Sequence, residues 1–208
     1  MNLPRLHLVT AATTIEESGF AAVARRLIQR FGPSIALHLR MPGASGAGVY
    51  AHALELRPTA LAAGAPFLVN DRVDVAMAVR ADGIQLGEGS VPPERVRALV
   101  GHAWIGASIH SVPDALHARA SGIDFVLLGT IHGSPTHPGG RVLGESALEI
   151  AARAGVPVLG IGGMTPPRAA TARALGAHGV AVLSGVWSAP DPERAVAEYL
   201  TALEAGND

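Results

Sequence analysis

Pro157-Val158-Leu159-Gly160-Ile161-Gly162-Gly163-Met164-Thr165-Pro166-Pro167, followed by Gly179-Val180-Ala181-Val182-Leu183-Ser184-Gly185, reads as strand, glycine turn, helix start and second strand. Both apolar runs are nearly continuous, as expected for parallel strands covered on both faces. Thr165 is placed to cap the intervening helix, and the paired prolines suit its first turn. Such a unit lays its two strands side by side through a right-handed crossover.

Outward from this unit the same alternation covers the chain. Strands are expected at 6–9, 35–39, 66–69, 83–86, 104–108, 125–128, 157–161 and 179–183. Stretches 19–31, 93–100, 112–121, 146–153 and 167–175 carry apolar residues three or four apart, the spacing of a helix face. Ser111 before Val112-Pro113-Asp114 is a second cap signal. Eight strand–helix units in 208 residues point to one (β/α)₈ TIM barrel, a single domain over residues 1–208, rather than an open sheet. Residues 41–48, rich in glycine, alanine and serine, read as a mobile loop above the second strand.

Composition narrows the partners. The net charge is −1 and the basic residues form no stripe, so no nucleic-acid partner is expected. No apolar run approaches the ~20 residues that cross a bilayer, so no membrane partner is expected either. Residues 1–10 carry no targeting signature, and a cytoplasmic location is expected. Cysteine is absent, which excludes thiolate nucleophiles and Cys-ligated metals. All 16 basic residues other than histidine are arginines, so no lysine Schiff base or lysine general base can form.

In a barrel of this kind reacting groups come from the C-terminal strand ends and the loops that follow. Those positions hold Thr10, then His38 and Arg40, then Asn70, Asp71 and Arg72, then Gln85 and Glu88. They continue with Ser108 and His110, Thr130 and His132, Gly162-Gly163, and Ser184-Gly185. The last two pairs carry the strongest signal. Glycine lets backbone N–H groups approach a ligand closely, and two such turns on adjacent strands make a phosphate site. His38 and Arg40 share one side of their strand, with Arg40 suited to a carboxylate or phosphate. His132 is the best-placed proton shuttle, His110 more plainly orients its loop, and His137 lies in a lid-like loop. Asp71 and Glu88 are the only carboxylates among these positions, so no resident metal is expected.

In order along the chain, Leu6-His7-Leu8-Val9-Thr10, His38-Leu39-Arg40, Val69-Asn70-Asp71-Arg72-Val73-Asp74 and Ala81-Asp82-Gly83-Ile84-Gln85-Leu86 lead to Gly106-Ala107-Ser108-Ile109-His110-Ser111 and the two glycine turns. This set resembles the thiamine phosphate synthase and thiazole tautomerase family. The resemblance implies one of two activities. The synthase joins a pyrimidine diphosphate to a thiazole phosphate, with Gln-x-Arg-x-Lys after strand 2, a metal-binding aspartate after strand 4 and Thr-x-Thr-Lys-Pro after strand 6. This chain has His38, Arg40 and Pro42 in the first motif, Ser90 at the aspartate position, and Ser134-Pro135-Thr136-His137-Pro138 in the last. The tautomerase branch resembles it in His-x-Arg and in Gly89-Ser90-Val91-Pro92-Pro93, although its histidine after strand 6 corresponds to Thr130.

The expectation from these departures is a thiazole tautomerase-like isomerase without cofactor. His132 and His38 would move the proton, with Arg40, Asn70, Thr130, Gly162, Gly163, Ser184 and Gly185 binding a thiazole carboxylate phosphate, whose carboxylate Arg40 would meet. The alternatives are a thiamine phosphate synthase, with magnesium on Asp71 and Glu88, and a non-catalytic phosphate-ligand binder. A homo-oligomer is compatible with each.

Overall fold

A computed structural model describes residues 2–133 and 141–205. Its frame is a closed barrel of parallel strands in sequential order. The strands are β1 (Leu6–Val9), β2 (Ile35–Leu39), β3 (Phe67–Asn70), β4 (Gly83–Leu86), β5 (Trp104–Ile109), β6 (Phe125–Gly129), β7 (Val158–Ile161) and β8 (Gly179–Val182). The expected eight-strand barrel is therefore present, with strand bounds displaced by a residue at most. The barrel closes between β8 and β1, where Leu6 pairs with Val180 and Leu8 with Val182.

The outer layer holds α1 (Ala12–Glu16), α2 (Phe20–Phe31), α3 (Gly46–Ala63), α4 (Val73–Ala78), α5 (Pro93–Val100), α6 (Val112–Ala118), α7 (Glu145–Ala151), α8 (Pro166–Ala174), α9 (Ser184–Trp187) and α10 (Pro192–Ala205). Alternation of side chains divides each strand. One set, including Leu6, Leu8, Leu37, Val69, Ile84 and Leu128, packs outward against the helices. The other, including Val9, Ala36, Leu68, Phe125, Leu127, Leu159 and Ala181, fills the barrel itself. Ser111 caps α6 as expected, accepting from the Asp114 N–H at 3.4 Å. Thr165 stands at the N-cap of α8 in extended conformation but accepts no cap hydrogen bond.

The loop expected at 41–48 is shorter than its composition suggests. Ser45 accepts from the Gly48 N–H at 3.2 Å and starts α3, so Gly46 and Gly48 are helical. Among the described residues no helix is long and apolar enough to cross a membrane.

Candidate active site

Strand alternation and loop chemistry together shape a cavity of about 790 Å³ at the C-terminal mouth of the barrel. Val9, Leu127, Ile161 and Ala181 supply apolar lining, and polar groups stand around it. Two opposite walls carry the chemistry.

The first wall comes from β7 and β8. Gly162 and Gly163 have φ of +97° and +60°, a region that strains any other residue. Added side chains would also collide there, the first with the Thr130 methyl at 2.5 Å and the second with the Gly133 carbonyl at 2.6 Å. These glycines are therefore needed by the turn itself, whatever it binds. Their N–H groups, and those of Ser184 and Gly185, donate to no backbone carbonyl among the described residues. Two buried aromatics hold this wall. Tyr199 on α10 donates its hydroxyl to the Met164 carbonyl at 2.7 Å, and Trp187 on α9 donates to the Val9 carbonyl at 2.9 Å. Neither residue stood out in the sequence, because their bonds join segments far apart in the chain.

The second wall comes from β2, β3 and β4. Thr10, fully buried, accepts from the Arg40 N–H at 2.9 Å and fixes the end of β2. The Arg40 side chain lines the cavity, and its guanidinium forms no ion pair among the described residues. Asp71 is not its partner. Asp71 accepts instead from the Gly87 N–H at 2.9 Å and from the Ser90 hydroxyl at 2.7 Å, which ties the loops after β3 and β4 together. Its φ of +61° is one of two positive values outside glycine among the described residues, so the carboxylate is aimed at the cost of local strain. Glu88 lines the same wall. Asn70, Ser108 and Thr130 also reach the cavity.

The histidines separate. His110 lines the cavity, with Nδ1 donating to the Gly129 carbonyl at 2.7 Å and Nε2 left for a ligand. Alternation along β5 placed it on the same side as Ser108, a signal that the loop-orienting reading undervalued. His132 is not among the cavity-lining residues. Its Nε2 stands 3.7 Å from Glu145, and its pKa is lowered by burial and by Arg168, with Glu145 opposing. His38 is fully buried beneath the floor and does not line the cavity either. Burial pushes its pKa down to about 3, the Asn70 amide opposing. It therefore cannot serve as the expected shuttle, because it is neutral throughout the physiological range and has no path to a ligand. His137 lies outside the described residues.

Magnesium fits this donor set in one way only. Among the described residues no group of three or more His, Asp or Glu is arranged to hold a metal. Asp71 and Glu88 provide two carboxylates on one wall, and magnesium is commonly held by one or two carboxylates together with substrate phosphates and water.

Comparison with known proteins agrees with this geometry. Residues 6–186 match the family model described as thiamine monophosphate synthase. The chain is 42% identical over 167 residues to the thiamine-phosphate synthase of Roseiflexus castenholzii, covering 79% of this chain and 73% of that one. It is 36% identical over 201 residues to that of Chloroflexus aurantiacus, covering 96% and 92%. The solved thiamine phosphate pyrophosphorylase of Pyrococcus furiosus superposes with a TM-score of 0.86 at 30% identity, covering 98% and 97% of the two chains. These relatives overturn the expectation of a tautomerase, since all of them carry the synthase or pyrophosphorylase name. The lysines of the two synthase motifs are absent from this chain. The cavity instead retains the Arg40 guanidinium, without an ion pair among the described residues, and two carboxylates able to share a cation with a diphosphate. The proton-moving roles given to His132 and His38 belonged to the overturned reaction.

Proposed function

The chain belongs to the thiamine monophosphate synthase family, and from that premise we propose that it joins a thiazole phosphate to a pyrimidine diphosphate. One bond forms from the thiazole nitrogen to the methylene carbon of the pyrimidine diphosphate while that carbon's bond to oxygen breaks; the nitrogen takes up the positive charge and pyrophosphate leaves with the electron pair. The observation that carries this reading is a single cavity lined on one side by Gly162, Gly163, Ser184 and Gly185 and on the other by Arg40, Asp71 and Glu88.

On this reading the free N–H groups of Gly162, Gly163, Ser184 and Gly185 hold the thiazole phosphate. Backbone donors suit a spectator anion because they are fixed before it arrives. Arg40 meets the diphosphate, whose oxygens a guanidinium fork matches bidentately. Asp71 and Glu88 would hold magnesium, which supplies neutralisation of the charge that gathers on the leaving pyrophosphate. Ser90 keeps Asp71 pointed at the cavity through the 2.7 Å hydrogen bond, a supporting task in place of a carboxylate. The apolar lining of Val9, Leu127, Ile161 and Ala181 keeps water from competing with the incoming ring.

Incubation of the protein with both substrates and magnesium tests the reading. Pyrophosphate and thiamine phosphate should appear in equal amounts, stop on addition of EDTA and resume with excess magnesium. Pyrophosphate release without coupled product, or full turnover in EDTA, would refute it.

A further inference from the structure

The ladder between β7 and β8 ends where Ile161 pairs with Ala181. Past that point no backbone hydrogen bond among the described residues joins the turn at 162–165 to the turn at 183–187. Both turns must nevertheless stand at a fixed distance if their N–H groups are to meet around one phosphate, because donors set in place beforehand cost least to use. The sheet itself does not supply that distance.

The Tyr199 side chain reaches between the two turns from α10. It is buried, and burial raises its pKa, so the hydroxyl keeps its proton. It donates that proton to the Met164 carbonyl of the first turn at 2.7 Å. The same oxygen fills the space beside Gly185 of the second turn, where any side chain would run into it.

This contact explains why residue 185 is glycine. Its backbone is outside the left-handed region, so conformation does not call for glycine there. Donation of its N–H does not either, since every residue except proline offers one. Apart from the hydroxyl oxygen there is room for a methyl group. The ring carbon that bears the hydroxyl would lie 3.3 Å from it and the Met164 oxygen 3.5 Å.

We propose that the Tyr199 hydroxyl is the spacer that sets the gap between the two glycine turns, and that through it α10 fits the mouth to a phosphorylated thiazole. Tyr199 is a positioning residue, since it does not line the cavity. The proposal rests on thiazole phosphate binding at these turns, as in the synthase reading above. Without the hydroxyl the Met164 carbonyl loses its donor and the turns lose their spacer, while the wall built from β2, β3 and β4 is untouched.

Tyr199→Phe keeps the ring and removes only the oxygen. Titration calorimetry should show thiazole phosphate binding about tenfold more weakly, the range of one lost hydrogen bond, with its dephosphorylated alcohol binding as before. Initial rates should show kcat and the KM for the pyrimidine diphosphate nearly unchanged. A hydroxyl that only stabilises the fold would lower Tm and leave both calorimetric affinities alone, or weaken both alike, and either result would overturn the proposal. Gly185→Ala is the second variant. In the parent its methyl should weaken thiazole phosphate binding by about tenfold or more, but in Tyr199→Phe by only about twofold further, because the oxygen it strikes is gone. Full multiplication of the two losses in the double variant would overturn the spacer. Tyrosine-dependent binding of thiazole phosphate in a protein that releases no pyrophosphate would refute the function and support the spacer. Normal turnover with unchanged thiazole phosphate affinity in Tyr199→Phe would do the reverse, and a parent protein that fails to bind thiazole phosphate would overturn both.

Discussion

Arg40 and His38 sit two residues apart on one strand, on the same side, and have opposite fates. Inward-facing side chains of a small barrel stack in layers, and only the last layer meets the mouth. Alternation shows that both residues point inward; it does not show the depth at which the packed layers end. Arg40 lies above that level and His38 below it. The glycine turns were easier to read, because positive φ and bare N–H groups are properties of the residue type itself. Two predictions belong to this scale. Arg40→Ala should raise KM for the pyrimidine diphosphate by about 10- to 100-fold, the usual range for lost charge-assisted hydrogen bonds, and initial rates at varied diphosphate measure it. Ser184→Asp should weaken binding of thiazole phosphate while sparing its dephosphorylated alcohol, as calorimetry with both ligands can resolve. Substituting Gly162 is a poorer test, since its φ of +97° and the nearby Thr130 methyl would disturb the turn in any case.

Among the elements, strands were readable to within a residue and α2, α5, α7 and α8 to within two, whereas α3 was not readable. The helix α3 carries Gly46, Gly48 and Pro58, all signals against a helix. Its apolar residues also fall on several sides, with Val49, Ala53, Leu56 and Ala60 buried and Tyr50, Leu54 and Leu61 exposed. Tertiary packing against α2 and the Ser45 cap therefore outweigh local preference. The bonds that attach helices to the barrel bottom were equally hidden. Asp82 accepts from the Phe67 N–H at 2.9 Å and is gripped by Arg57 of α3 at 2.6 and 3.0 Å. Asp124 repeats the device, accepting from the Ile105 N–H at 2.7 Å and meeting Arg97 of α5 at 2.5 Å. In both, an aspartate just before one strand ties the start of the neighbouring strand to a helix. The Arg57–Asp82 pair is mostly buried, with side-chain exposures of 12% and 17%. Asp82→Ala should therefore cost about 3 kcal/mol, since it strands a buried guanidinium. Urea unfolding monitored by circular dichroism measures the loss, and a cost near zero would show the pair to be dispensable.

The whole molecule carries two neutral histidines in its interior, and this makes stability depend on pH. Both have folded-state pKa values depressed from the ordinary imidazole value of 6.5, His38 to about 3. Their contribution is fully present above 6.5 and is lost as pH falls below it, for His38 through the window toward 3, because only the unfolded chain takes up the protons. Within that window His38 alone should lower stability by about 1.4 kcal/mol per pH unit. Denaturation midpoints between pH 7 and 4.5 should fall more gently in His38→Gln than in the parent, and parallel slopes would contradict the burial of a neutral ring. The barrel otherwise serves as a rigid frame for the two walls of its mouth. Their separation is the feature that lets the mouth hold a phosphate and a diphosphate at once. A crystal grown with thiazole phosphate, pyrophosphate and magnesium tests it most directly. The account predicts the thiazole phosphate on the N–H groups of Gly162, Gly163, Ser184 and Gly185, with pyrophosphate and magnesium beside Arg40, Asp71 and Glu88. Both anions on one wall, or pyrophosphate absent at saturating concentration, would contradict it.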